Sequence, residues 1–356
     1  MPAAACSAQP HVSVEVLPDY NALFERQDGW TGADGAYTVK LSSNRILWLF
    51  GDTWYGEIRE GRHTNATIVN NSIAIQHGIV PLDASVRFYS GRAPGGRPLA
   101  FIRPSDDRGW LWFYDGIEVN KTLYLCLIQA DRTENRNSFG FKIIGTRLGR
   151  VANPEESPNS WRISQHQIPW ERLSPGGDTI FGSALLRENK FIYIFGTTED
   201  VVGSIRQKYM ILARAPETKL GQFDQWQFYC AGSWSSDFSE LSRLAGDMAN
   251  EYSVSYLAAL EEYVSVYSAK GFSKNIVARF APHPWGPWSE PEVLYECPEA
   301  SRGADVFCYA AKGHPALSPA PNEIIVTYIA SSFSFEKIAA DAKLYRPRFL
   351  RVRFWK

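Results

Sequence analysis

The sequence predicts an all-β fold, a five-bladed β-propeller in which an N-terminal strand is added to the last blade. Five copies of a short phrase recur along the 356 residues, each a polar residue or two followed by an apolar, β-branched and aromatic run of strand length. A second strand-like stretch precedes each copy and a third follows it, with no helical period between them, which is the pattern of an array of small antiparallel sheets. An orphan alternating stretch, HVSVEV (His11–Val16), comes before any blade is complete, and RFLRVRFWK ends the chain as a strand. Placing both in one sheet removes the open seam between first and last blades.

The five phrases are RILWLF from Arg45, KTLYLC from Lys121, KFIYIF from Lys190, EEYVSV from Glu261 and EIIVTY from Glu323. GAYTVKL, LWFYDGIEV, TIFGSALL, YSVSYLAAL and HPALS precede them as inner strands. NSIAIQ, FKIIGTRL, YMILARA, NIVARFA and RFLRVRF follow as third strands. The Pro/Gly-rich segments LGRVANPEESP and APHPWGPWSEP read as turns leading to outer strands. The blades then span roughly residues 29–105, 106–172, 173–246, 247–300 and 301–356 plus 11–17, in a single domain.

Composition narrows the function. The hydrophobic share is 45%, enough for a packed core, and the twelve Trp are divided between packing among blades and stacking on a sugar face. The net charge of −1, with no Lys/Arg cluster, argues against nucleic-acid binding. Five Cys (Cys6, Cys126, Cys230, Cys297, Cys308) lack metal-ligand spacing, so neither a metal nor a cofactor is expected; Cys126, inside a strand, reads as a small buried hydrophobe. No segment approaches the ~18 apolar residues of a membrane span. The start MPAAACSAQP lacks the charged and apolar regions of an intact signal and reads either as a trimmed export or lipoprotein signal or as a tail. A secreted, periplasmic or cell-surface monomer is expected, with a cytoplasmic location open.

Residues near one rim of the inner strands converge on the propeller axis, so hairpin register gives a depth scale. Around the turn Ser42-Ser43-Asn44, Asp34 and Asp52 lie equally far out and fall opposite one another on adjacent strands. Two carboxylates so close push their pKa values apart, the arrangement acid–base chemistry uses; the alternative is that both are turn residues. At similar depth lie Glu251, within Asn250–Ser253 and followed by Tyr252, and Asp178 on the third blade. Asp115 and His314 fall deeper; a hydrogen-bonded structural histidine competes with a catalytic one at 314. Asn70 and Asn71 reach the Asp34 rim only if the Tyr55–Thr67 loop folds over it. No GxSxG elbow and no phosphate-cradling glycine loop is present.

GWTGADGAYTVKL followed by RILWLFGDTWYG resembles the propeller proteins grouped as domain of unknown function 4185, part of which is assigned as endo-D-arabinanases. Their architecture is similar to arabinanase, levansucrase and invertase-type hydrolases. VNNSIAI, EYSVSYL, PWGPWSEP and YAAKGHPALS extend the likeness more loosely. The resemblance implies family-type active-site positions at Asp34 and Asp52; Glu251 is taken as the third acid from its depth, since the third-blade strand FGSALL carries no carboxylate. Trp54, Asn71, Asp115, Asp178, Tyr252, His314 and Arg346 complete the expected substrate-binding set. The expected activity is hydrolysis of a furanoside-containing, arabinan-like glycan with inversion, one of Asp34 and Asp52 serving as base and Glu251 as acid. A non-catalytic carbohydrate-binding propeller is the alternative. Phosphorolysis, with Lys312, His314, Arg346 and Arg348 around a phosphate, is a third.

Overall fold

A computed structural model describes residues 10–134, 140–203, 205–318 and 320–356; Cys6 and the rest of the MPAAACSA start lie outside them. The chain is all-β, with antiparallel sheets and few helices. Among the described residues the strands form five sheets of four or five strands, one three-stranded sheet and one two-stranded ribbon. The five sheets begin, in chain order, with the strands Tyr37–Lys40, Trp110–Val119, Thr179–Glu188, Tyr252–Leu257 and Val306–His314. Each of these inner strands pairs with the strand carrying one of the five phrases.

The inner hairpins are tight for a local reason. Val119 pairs with Thr122 and Glu188 with Phe191, leaving two-residue loops Asn120-Lys121 and Asn189-Lys190 in which all four residues have positive φ. That is the turn whose twist matches right-handed strands, and asparagine enters it at low cost.

His11–Val16 pairs with Pro347–Trp355 in register from His11 opposite Trp355 to Val16 opposite Leu350, so the two segments lie in one sheet with Glu323–Ser332 and Val306–His314. Apolar clusters fill the space between successive sheets. Leu47, Leu49 and Ile75 meet Leu111 and Leu125 between first and second; Cys126 and Leu148 meet Ile194 and Ile211 between second and third. Phe195 and Leu212 meet Tyr252 and Tyr267, Val264 and Ala278 meet Val326 and Leu350, and Trp48 and Phe50 meet Ile325 and Phe349. The arrangement is propeller-like. Cys126, Cys230, Cys297 and Cys308 are free and buried. Among the described residues no helix is long and apolar enough to cross a membrane.

Three expectations change. The last inner strand is VFCYAAKGH rather than HPALS: Pro315, which has no N–H to give a ladder, opens a short 3₁₀ turn instead. Residues 55–67 are not a loop. Thr53–Arg59 and Arg62–Val69 form a hairpin that, with Asp28–Ala33, makes the three-stranded sheet inserted into the first repeat. Its strand Arg62–Val69 is polar and largely exposed, and none of the three carries an apolar phrase. A short helix, Phe335–Ala340, begins at Ser334, whose Oγ accepts from the Lys337 amide at 3.3 Å.

Candidate active site

Asp34 and Asp52 face each other because two ladders meet there. Ala33 pairs with Thr53 in the inserted sheet, and Tyr37 pairs with Leu49 in the first. Between them the Asp34 amide donates to the Asp52 carbonyl at 2.8 Å and the Gly51 amide to the Asp34 carbonyl at 2.7 Å. The Gly51 backbone packs against the Asp34 side chain: a Cβ there would stand 3.4 Å from the carboxyl carbon, an ordinary contact. Both acids and Glu251 line one pocket of about 640 Å³, floored by Tyr37, Tyr309 and Tyr345 and walled by Trp110, Trp112, Phe141, Phe272 and Phe335.

The three carboxyls are held differently. Asp52 Oδ1 accepts from Trp112 Nε1 at 2.8 Å and from Asn70 Nδ2 at 3.3 Å. Glu251 Oε1 accepts a short hydrogen bond from the Tyr37 hydroxyl. Asp34 Oδ1 is enclosed and has no hydrogen-bond partner. Burial lifts the pKa of each above the ordinary carboxylate range. Asp34 rises furthest, because the charges of Glu251 and then Asp52 add to its burial, against hydrogen bonds from the Tyr309 hydroxyl and the Gly35 amide. Glu251 is restrained by the Tyr37 donor and by the cations Lys312 and Lys208, and Asp52 by its two N–H donors. Of the three, Asp34 is the carboxyl whose surroundings most favour the protonated form.

The expected binding residues divide sharply. Asn71 is fully buried and clamps the Ile102 and Leu111 carbonyls at 2.9 and 2.8 Å; its neighbour Asn70 is the one that reaches the acids. Trp54 is covered, stacked between His63 at 4.4 Å and Phe335 at 5.3 Å. Tyr252 is buried with its hydroxyl on the Gly196 carbonyl at 2.7 Å. Arg346 spans the Thr31 and Arg26 carbonyls at 2.8 and 2.7 Å. His314 is buried between Thr327 Oγ1 at 2.7 Å and Thr38 Oγ1 at 2.8 Å. Thr327 donates onward to the Ala36 carbonyl, so His314 gives it an Nε2–H and accepts at Nδ1; burial holds this neutral imidazole at a pKa of about 3. Asp115 accepts from the Leu185 amide at 2.7 Å, and Asp178 from the Ser174 amide at 3.1 Å; neither lines the pocket. These hydrogen bonds, and for Trp54 the stacked rings, tie Asn71, Trp54, Tyr252, His314 and Arg346 into the fold, and none of the five lines the acid pocket, which corrects the expected placement of each.

Residues outside the expected set build much of the pocket. Tyr309 sits just before a bulge in the ladder of its strand, and Tyr345 has φ 61° in the loop that follows the helix Phe335–Ala340. The pattern WLW at Trp110–Trp112 and the pair Phe333 and Phe335 are the only sequence signals for the aromatic walls.

Known proteins place the fold. Over 96% of this chain and 90% of its own, a candidate hydrolase from Bacteroides ovatus ATCC 8483 is similar, with 22% identity and a TM-score of 0.76. A protein of unknown function from Dyadobacter fermentans DSM 18053 is similar over 97% and 100%, at 10% identity and 0.51. The GH43_1 enzyme from Xanthomonas citri, solved with xylotriose, is similar over 95% and 93%, at 12% identity and 0.50. No curated protein matches. A family model described as Domain of unknown function (DUF5005), rather than the 4185 group that the first-repeat motif suggested, matches residues 18–355. The chain belongs to this family, Domain of unknown function (DUF5005).

Proposed function

We propose that this protein is a glycoside hydrolase on a closed five-bladed propeller, its five sheets the blades and His11–Val16 the outer strand of the last. The apolar clusters between successive sheets support that reading of the fold. The observation that carries the chemistry is the convergence of Asp34, Asp52 and Glu251 in one aromatic-walled pocket, with the acids in unlike environments. The similar fold of the Xanthomonas citri enzyme solved with xylotriose makes a glycan the natural ligand class.

The electrostatics reverse the roles that the chain alone suggests. Asp34, which keeps its proton, is the general acid that protonates the leaving oxygen. Glu251, anionic beneath the Tyr37 hydroxyl, is the base that takes a proton from the attacking water. Asp52, side by side with Asp34, is too near it to flank a sugar; its charge helps hold the proton on Asp34. Acid and base come from different repeats of the chain, and inversion is the expected outcome if their carboxyls stand about 6.5–9.5 Å apart, the gap that admits a water. The substrate class is a pentose-containing glycan, arabinan-like furanosides first, handled by an exported monomer.

The test is a screen of purified protein on arabinans, xylans, fructans and mannans, with products followed by chromatography and anomeric configuration by NMR. Hydrolysis with inversion that disappears in Asp34→Asn is the expected result. Oligosaccharide binding without turnover on every polymer, unchanged by Asp34→Asn, overturns it in favour of a binding module.

A further inference from the structure

A second cavity, of about 790 Å³, lies between the inserted sheet, the edge strand Ser85–Tyr89 and the ribbon of Gly91–Arg92 and Pro98–Leu99. Its volume falls within the ~300–1,000 Å³ of ordinary ligand sites. Four arginines line it, Arg26, Arg87, Arg92 and Arg97, against two carboxylates, Asp28 and Glu57. Glu57 is already paired with Arg59 at 2.8 Å. None of the four arginines has a carboxylate partner among the described residues. Arg26 instead lies 5.7 Å from the Phe88 ring centre, Arg87 lies 5.4 Å from that of Tyr89, and Arg92 donates to the Gly96 carbonyl at 3.2 Å. Phe88 and Tyr55 supply an aromatic wall, and Phe88 is fixed from behind by Trp30, stacked at 4.6 Å. Guanidinium groups steadied by rings and a carbonyl keep their forks free for an incoming carboxylate. An aromatic face beside them suits the apolar face of a sugar ring.

We propose that this cavity binds a carboxylate-bearing saccharide, a uronic-acid oligosaccharide, as a site separate from the acid pocket. A neutral glycan has no use for four guanidinium groups, and a bare anion has no use for the rings. The inference does not depend on the acids hydrolysing anything, so it stands or falls apart from the reading above.

The experiment is calorimetric titration of the full chain with trigalacturonate, with neutral cellotriose of the same length and with sodium sulfate. The three proteins are the parent, the double variant Arg87→Gln/Arg97→Gln and Asp52→Asn. Trigalacturonate should bind the parent and Asp52→Asn alike, weaken when NaCl rises from about 50 to 300 mM, and lose about tenfold or more in the arginine variant. Cellotriose and sulfate should each bind at least about tenfold more weakly than trigalacturonate. Because both arginines are exposed and bear no carboxylate partner, the double variant should melt as the parent does. Absence of trigalacturonate binding, equal binding of cellotriose or sulfate, or binding that Asp52→Asn removes and the arginine variant keeps, each overturns the proposal.

Discussion

Two groups of buried titratable side chains lie at and beside the acid pocket, and they are treated in opposite ways. Beside it, Lys312 is 3% exposed yet satisfied: Nζ donates to the Tyr114 and Ser183 carbonyls at 2.5 and 2.7 Å and lies 4.1 Å from the Tyr37 ring centre. His314 has a hydroxyl on each ring nitrogen, and Asp115 has a backbone amide and the nearby Lys312 charge. At the pocket, Asp34 Oδ1 has no hydrogen-bond partner and its carboxyl faces two other acids. The group beside the pocket is neutralised by its surroundings and serves stability. The one at the pocket is left with an electrostatic imbalance, which is what proton transfer at neutral pH requires.

That contrast breaks or holds under substitution. The largest effect should come from Asp34→Asn or Glu251→Gln, each lowering the hydrolysis rate about 10²–10⁴-fold without a loss of Tm; a variant that keeps most of the activity removes that residue from the mechanism. Next, Lys312→Met should cost about 3 kcal/mol in chemical denaturation, since Asp115 loses its buried cation. A stability like that of the parent would show the group beside the pocket to be dispensable.

A subtler test is Tyr37→Phe. It removes the hydroxyl that favours Glu251 as carboxylate, so the acidic limb of the kcat/KM profile should move up by about one pH unit. The alkaline limb, set by the raised Asp34, should move less. An unmoved acidic limb separates Glu251 from the base role. The smallest effect is on stability. The folded pKa of Asp34 lies above its unfolded value, so its contribution is present at low pH and is lost as pH rises through the folded pKa. Asp34→Asn should therefore melt about 2 °C or more above the parent at pH 8 and level with it near pH 3.5. Equal melting at both pH values means the carboxyl carries no electrostatic strain.

The strands were legible in the chain because each phrase buries both faces, as in IIVTYIASS of Glu323–Ser332, buried throughout. The inserted sheet was not, since Arg62–Val69 is polar and largely exposed and carries no apolar phrase. Asp34 and Asp52 were legible because hairpin register fixes which residues face each other. Depth proved a poor guide to role: His314 and Asp115 fall on inner strands, but the groups that satisfy them come from other strands. Asn70 and Asn71 differ by one place, yet in the link between two strands one reaches Asp52 and the other is buried in the core.

The inserted hairpin is fastened at its tip as well as at its base. The Gly61 carbonyl accepts from the Ala342 amide at 2.8 Å, and Trp54 stacks on Phe335, itself a pocket wall. A stretch near the front of the chain thus braces one near its end, across the rim of the same cavity. Lengthening or shortening that hairpin would redraw the rim while leaving the acids in place, which gives this scaffold a way to change the length of chain it accommodates without altering its chemistry.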